Sequence, residues 1–278
     1  MMTSTNPLLE YMSCERLDRD LFRGQSKDLN TGQVYGGQAL GQAIKAAQHT
    51  VDPARRIHSA HAYFLLKGDV DAPIIYEVDR SLDGGSFSSR RVVAIQHGRK
   101  ILVLSASFQT HEEGLEFAPT YQPDVSILKK AIAEDRLSKD SFQTEFLDIY
   151  YLSDEETNDP KALQFWVKTK ETLPDDVDAH NSVLAYISDM GLLHSTLKPH
   201  QMHDGSPSEQ RDTLVMASLD HAIWFHRPFR ADEWFFVDCH AQSTGNGRGF
   251  SRGNLYCPDG TLFASTSQEG LFRIRRGE

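Results

Sequence analysis

Three short motifs occur twice in this chain, in the same order and at a separation close to 160 residues. A His-Ala pair with a following aromatic residue stands at His61 and again at His221. Residues 85–90 resemble residues 248–252, and residues 105–109 resemble residues 264–268. Repetition at one spacing indicates a duplicated structural unit. A chain built this way is constrained to a fold that can contain two similar halves.

Each half has the same predicted order of elements. A helix candidate rich in small residues and poor in charge opens it, at residues 36–47 and 181–193. So few charges indicate a mostly buried helix. Four strand candidates separated by turns follow, at residues 57–66, 74–81, 86–97 and 100–110, and at residues 213–226, 234–244, 249–257 and 262–274. A helix followed by antiparallel strands, twice, predicts an α+β fold in which each sheet wraps a helix.

The length of 278 residues allows two ordinary domains. We predict an N-terminal unit over residues 1–115, a connection over residues 116–160 and a C-terminal unit over residues 161–278. The connection carries Pro119, Pro123, Pro160 and an acidic run at 154–156, with a short surface helix expected near residues 126–136.

Charge and cysteine content exclude several classes of protein. The formal net charge of -10 leaves no broad basic surface for a nucleic acid. Cys14, Cys239 and Cys257 are scattered and form no zinc-binding spacing, which fits a reducing compartment. His200 and His203, followed by Asp204, could suggest a metal, but no third ligand is placed. We therefore expect neither a metal nor a cofactor.

Targeting signals are also missing from the sequence. Residues 1–11 lack a basic segment followed by an apolar core, so a secretory signal is not expected. No apolar run is long enough to span a bilayer. The chain ends in Arg-Arg-Gly-Glu rather than in a peroxisomal Ser-Lys-Leu signal. The expected location is the cytoplasm.

Asp189 is the strongest candidate for chemistry, because it is the only charged residue in the apolar stretch 183–193. An Asp is rarely buried without a partner or a function. Ser218 lies in a strand candidate, where it would share one face with Asp220 and Ala222. Gln268 lies on a small-residue face beside a glycine, a pattern that permits close approach of a ligand.

Four segments resemble those of bacterial acyl-CoA thioesterase II enzymes, the TesB type. They are Val-Tyr-Gly-Gly-Gln-Ala at 34–39, residues 83–92 with Gly-Gly-Ser-Phe, residues 219–229 with His-Arg-Pro-Phe, and residues 264–270 with Gln-Glu-Gly. The resemblance extends from about residue 5 onward and is weakest in the connection. It implies a tandem (double) hotdog fold, hydrolysis of acyl-CoA to a free acid and CoA, and association into a homo-oligomer. It also implies that Asp189, Ser218 and Gln268 act together on a water.

The phosphates of CoA call for cations near the entrance. Arg90, Arg91, Arg248 and Arg252 begin equivalent strands and are the candidates. Competing hypotheses are a serine nucleophile at Ser218 or in the G-x-S-x-G match at 249–253, and a hotdog enoyl-CoA hydratase. The hydratase spacing D-x4-H occurs at Asp189 and His194, without the usual Asn-Pro. A non-catalytic acyl-CoA-binding protein is the remaining alternative.

Overall fold

One antiparallel sheet of thirteen strands runs through both halves of the chain. The structure is a computed structural model, and it describes residues 6–139, 142–200 and 214–275. From one edge to the other, twelve strands follow the order β1-β2-β4-β5-β6-β3-β10-β13-β12-β11-β8-β7, and β9 pairs separately with β13.

The elements follow one another in two matching series. The first half contains α1 (Pro7–Met12), β1 (Cys14–Asp18), β2 (Leu21–Gly24), α2 (Gly36–Gln48), β3 (Arg55–Phe64), β4 (Ile74–Asp83), β5 (Phe87–Gln96) and β6 (Arg99–Thr110). The second contains α3 (Val125–Ala133), β7 (Leu147–Tyr151), β8 (Ala162–Thr169), α4 (Val177–Ser188), α5 (Leu192–Ser195), β9 (Leu214–Ser218), β10 (Asp220–Phe225), β11 (Phe235–Gly245), β12 (Arg248–Tyr256) and β13 (Leu262–Ile274).

The sheet shows the duplication directly. From the centre outward the first half reads β3-β6-β5-β4-β2-β1, and the second half reads β10-β13-β12-β11-β8-β7. Apart from β9, each half therefore places two strands, then a long helix, then four strands in the same spatial order. The halves join where β3 and β10 pair, with Ala62 opposite His221. This arrangement confirms the α+β expectation of two helix-wrapped sheets united into one.

The register corrects two of the three sequence matches that suggested the repeat. His61 is exposed whereas His221 is buried, so the two histidines point to opposite faces of the sheet. Gln109 likewise follows the inward-facing Phe108, whereas Gln268 itself points inward. A shift of one residue along a strand moves every side chain to the other face. Only the match between residues 85–90 and 248–252 keeps equivalent side chains on equivalent faces.

Two predicted elements are each divided in the structure. The helix expected at 181–193 ends at Ser188, because Gly191 has φ +81 and begins the separate helix α5. Such a φ is readily adopted by glycine alone. The strand expected at 213–226 is interrupted at Leu219 and forms β9 and β10. Within 116–160, α3 and the sheet-edge strand β7 are more than a connection. The unit boundaries at 115 and 161 stay a prediction.

Helices α2 and α4 pack against each other in opposite directions on the inner face of the sheet. Two glycines one turn apart permit the close approach: a Cβ at Gly37 would lie 2.3 Å from the Tyr186 carbonyl oxygen, and one at Gly41 would lie 2.8 Å from that of Ser182. Backbone this close to backbone excludes any larger side chain. The beginning of α2 therefore lies beside the end of α4.

Candidate active site

Asp189 lies where the two halves meet, as the residue that ends α4. The turn that follows is fixed by Gly191, at which a Cβ would approach the Phe165 ring to 2.8 Å. Ending α4 there directs the Asp189 carboxylate toward the first residues of α2. The site therefore combines a side chain of the second half with backbone of the first.

The carboxylate of Asp189 accepts two hydrogen bonds that come from different halves. Gln268 Nε2 on β13 donates to Asp189 Oδ1 at 2.7 Å, and the backbone N–H of Gly37 on α2 also donates to this carboxylate. Helix α2 has no side-chain capping bond from its own N-cap residue, Tyr35. Because the first N–H groups of a helix lack intrahelical partners and carry partial positive charge, Asp189 stabilises the start of α2.

Gly36 allows the carboxylate to come this close. A Cβ on Gly36 would lie 2.8 Å from Asp189 Oδ2 and 3.1 Å from a ring carbon of Phe64. Any side chain at position 36 would therefore displace the carboxylate or the ring. These two contacts also place Phe64, at the end of β3, beside the candidate site.

Burial raises the pKa of Asp189 to about 7, and the hydrogen bonds from Gln268 and Gly37 oppose that rise. The side chain is surrounded by protein yet keeps part of its surface accessible. A carboxylate whose pKa lies near neutrality is suited to accept a proton at neutral pH. This environment distinguishes Asp189 from an ordinary surface Asp.

Gln268 is 1% exposed, and its amide is held in one orientation. An ionised carboxylate can only accept hydrogen bonds, so the Nε2 group must face Asp189. The Gln268 Oε1 atom then points the other way and has no partner among the described residues. A buried acceptor of this kind is unusual, and it could accept a hydrogen bond from a bound molecule.

Ser218 lies on the strand next to Gln268. It pairs with Gly270 across β9 and β13, so its side chain shares the inner face with Gly270 and Gln268. Diagonal neighbours in a sheet are about 7–8 Å apart, within reach of a long side chain. The expected shared face with Asp220 and Ala222 is wrong. The break at Leu219 puts those two residues on the outer face.

The four arginines have different surroundings. Arg90 is 1% exposed, and its guanidinium donates to Thr50 Oγ1, the Thr50 and Leu82 carbonyls and Asp83 Oδ1. It has no free surface for a phosphate, and this corrects the expectation for Arg90. The other three are exposed. Arg248 forms an ion pair of 2.8 Å with Glu269, Arg252 stacks over Phe250, and Arg91 lies on β5.

The rival motifs do not form the sites that their spacing suggested. Ser251, the serine of the G-x-S-x-G match, is fully buried within β12 and donates to the Leu192 carbonyl at 2.8 Å. A nucleophile elbow needs an exposed turn between strand and helix. Across residues 6–139, 142–200 and 214–275 no three His, Cys, Asp or Glu side chains cluster to hold a metal. His203 and Asp204 lie outside the described residues.

Comparisons with known proteins agree with this architecture. A family model described as acyl-CoA thioesterase matches residues 137–271, and one described as acyl-CoA thioesterase N-terminal domain matches residues 25–109. Acyl-CoA thioesterase 2 of Haemophilus influenzae is 35% identical over 287 residues, which cover 97% of this chain and 98% of that protein. The chain belongs to the acyl-CoA thioesterase family. This membership makes it a thioester hydrolase.

Further relatives of the enzyme give the same result. Acyl-coenzyme A thioesterase 8 of Homo sapiens is 34% identical over 288 residues, covering 95% of this chain and 88% of that protein. The crystal structure of acyl-CoA thioesterase II TesB2 from Mycobacterium marinum matches with TM-score 0.81 at 35% identity, covering 97% and 98% of the two chains. A hot dog protein of Alicyclobacillus acidocaldarius has TM-score 0.76 at 15% identity, which speaks for the fold alone. The expected double hotdog is confirmed.

Several residues of the site were not identified from sequence. Gly36 and Gly37 lie in one of the segments that resemble the family, yet their role depends on backbone N–H groups and on the space left by absent side chains. The Tyr-Gly-Gly sequence at the start of a helix candidate without an Asp, Ser or Thr cap was the available signal. Separately, no helix in the described ranges is long and apolar enough to cross a membrane.

Proposed function

We propose that the enzyme hydrolyses acyl-CoA to a free acid and CoA at Asp189, with Gln268 and Ser218 directing the attacking water. The observation that supports this most is the 2.7 Å hydrogen bond from Gln268 to a carboxylate whose pKa is about 7. Such a pair offers a proton acceptor next to an amide that can orient a water.

In the proposed first step, Asp189 takes a proton from water while the water oxygen bonds to the thioester carbonyl carbon. Gln268 Oε1, which has no partner among the described residues, would accept a hydrogen bond from the second O–H of that water. Ser218 approaches the same space from β9. The tetrahedral intermediate then loses its C–S bond, and the proton on Asp189 passes to the departing sulfur. Water and thioester thus become acid and thiol, with Asp189 regenerated.

The negative charge on the carbonyl oxygen needs hydrogen-bond donors during the reaction. We assign this role to the backbone N–H of Gly36, because the N–H of Gly37 donates to Asp189 and those of Gln38 and Ala39 donate to the Tyr35 carbonyl. The positive end of a helix favours an anion, and fixed donors of this kind often provide the largest part of catalysis in acyl transfer.

Thiol release from a panel of acyl-CoA chain lengths tests the reaction, and Asp189→Asn tests the site. The Asn side chain can still accept from Gln268 and Gly37, so the fold should persist while kcat falls about 10²–10⁴-fold. Asp178→Asn is the matched control, because burial also raises the pKa of that carboxyl at the opposite end of α4. Near-normal turnover by Asp189→Asn would contradict the proposal.

Direct attack by water is separable from a covalent route through Ser218. Acid-quenched reactions analysed by mass spectrometry should show no acyl group on Ser218, and Ser218→Ala should keep measurable turnover. An acylated Ser218 would overturn the water mechanism. Hydration of an unsaturated acyl-CoA without release of thiol would instead support the hydratase alternative.

Binding of the CoA phosphates is proposed for the exposed arginines. Arg248 has the best position, because it begins β12 one residue before Gly249, which pairs with Gly270 beside Ser218. Arg252 and Arg91 lie further along their strands. We also propose that the enzyme associates into a homo-oligomer and works in the cytoplasm, where its three free cysteines fit a reducing environment.

A further inference from the structure

The first two residues of β10 each form a hydrogen bond with a neighbour of a proposed catalytic residue. Asp220 bonds to Glu269, which follows Gln268, and His221 bonds to Ser188, which precedes Asp189. We propose that Asp220 and His221 are positioning residues that set the Gln268–Asp189 hydrogen bond. This inference rests on the function proposed above.

The contact of Asp220 arises from a bulge. Ser218 pairs with Gly270, and Ala222 pairs with Ser267. Between these two pairs the segment of β9 and β10 therefore contains one residue more than β13 does. At the bulge the Leu219 N–H donates to the Glu269 carbonyl at 2.9 Å. Asp220 Oδ1 accepts the Glu269 N–H at 2.6 Å, in place of a ladder carbonyl. Both backbone groups of Glu269 are thereby fixed, and the position of Gln268 along β13 follows.

The contact of His221 fixes the last turn of α4. Ser188 Oγ donates to the Ala185 carbonyl at 2.9 Å, which uses its only proton. The 2.9 Å contact between His221 Nε2 and Ser188 Oγ therefore requires the histidine to donate from Nε2. Burial lowers the pKa of His221 to about 3, so the ring is neutral and keeps this tautomer at neutral pH. Its Nδ1 atom has no partner among the described residues.

The same bulge explains how one segment reaches both sides of the site. Ser218 points inward before the bulge, and His221 points inward after it, although a regular strand would place them on opposite faces. Asp220 points outward and reaches the strand backbone. Displacing either bond would move the donor Gln268 relative to the acceptor Asp189. A shift of about 1 Å in a reacting group costs on the order of 100-fold in rate.

The test compares variants that remove each bond with variants that keep it. His221→Leu and Asp220→Ala should lower kcat about 10- to 100-fold with KM nearly unchanged. His221→Gln retains an N–H donor and Asp220→Asn retains an oxygen acceptor, so both should stay within about threefold of wild-type kcat. If conservative variants fail to restore kcat, or if His221→Leu and Asp220→Ala leave it normal, the inference is wrong.

His180→Leu is the matched control. His180 is also buried and accepts the Ala231 N–H at 3.1 Å, but it lies near the other end of α4. It should lower Tm as His221→Leu does while leaving kcat within about twofold. If kcat falls equally in His180→Leu and His221→Leu, His221 only stabilises the fold and does not position the site. Should His221→Leu not fold, Ser188→Ala removes the same bond from the other side, and its kcat decides the question.

The Asp189→Asn background separates this inference from the proposed function. There, His221→Leu should cause no further loss of kcat, because the group it positions is already gone. An additional loss would contradict the positioning role. If Asp189→Asn itself is fully active, the proposed function fails. If Asp189→Asn is inactive while His221→Leu turns over normally, only the positioning role fails.

Discussion

The two ends of the α2–α4 helix pair are built alike, yet only one carries the candidate catalytic groups. Asp189 ends α4 as His49 ends α2. Ser218 pairs with Gly270 as Arg55 pairs with Thr110. Gln268 and Phe108 each lie two residues before those partners. The structural counterparts of Asp189, Ser218 and Gln268 are therefore His49, Arg55 and Phe108.

The second end contains a cavity of about 240 Å³ that these three counterparts line together with Lys45, Gln48, Val51, Asp52, Pro53 and Asp178. Burial lowers the pKa of His49, so its ring is neutral where Asp189 is a carboxylate. Phe108 has no amide to orient a water. The Arg55 guanidinium is bound to Ser88 Oγ and to the Gly84 and Gly85 carbonyls. The fold repeats, but the three side chains proposed for the chemistry have no chemical equivalents at the matching positions of the first half.

The N-termini of α2 and α4 are capped in different ways. Helix α4 is capped by its own Asp176, which accepts the Asp178 N–H at 3.0 Å. Helix α2 instead receives Asp189 from the other half. A capping residue that directly precedes its helix bonds to the first N–H groups of that helix. A capping carboxylate from a distant segment instead brings a second part of the chain to the helix terminus, so that both belong to one site.

The largest effect is expected when Gln268 and its structural counterpart Phe108, at the two ends of the α2–α4 helix pair, are each replaced by Leu. Gln268→Leu removes the amide that bonds to Asp189, and kcat should fall about 10²–10³-fold. Phe108→Leu should lower Tm but leave kcat within about twofold. Thiol release and thermal unfolding would be measured for both. A large loss of kcat in Phe108→Leu would show that the second end takes part in the reaction.

The pH dependence of kcat/KM should distinguish the two ends next. Only the deprotonated form of Asp189 can accept a proton, so kcat/KM should fall about tenfold per pH unit below pH 7. Above that value the rate should level off. His49→Gln should leave the profile in place, because that ring titrates at the other end. If His49→Gln shifts the pH profile of kcat/KM, the titrating group is His49 and not Asp189.

The smallest expected effect is on stability. The folded state raises the pKa of Asp189 from 3.8 to about 7, so it binds a proton more tightly than the unfolded chain does. The folded protein therefore loses stability as pH rises through this interval, and the loss persists above it. Asp189→Asn should raise Tm by about 5 °C more at pH 8 than at pH 5. For His49→Asn, calorimetry should detect no such gain above pH 7.

Sequence patterns predicted the fold well, because helix and strand periodicities survive as whole segments. Asp189 stood out because a lone charge in an apolar helix is conspicuous, and the structure brings it to Gln268. The direction of single side chains was harder to predict. The bulge between Ser218 and Ala222 inverts the faces of β10, and Arg90 faces inward while Arg91 faces outward. The uncapped Tyr-Gly-Gly sequence indicates that the start of α2 needs an outside partner, but nothing within either segment identifies Asp189 as that partner.

The pairing of β3 with β10 and the glycine contact between α2 and α4 mean that each half of the chain contributes a part of the one candidate site. Residues 36 and 37 provide backbone, and residues 189 and 268 provide side chains. A fragment containing either half alone would lack part of this set of groups. Separating the two halves of the repeat would therefore separate the backbone N–H of Gly37 from the carboxylate that accepts its hydrogen bond.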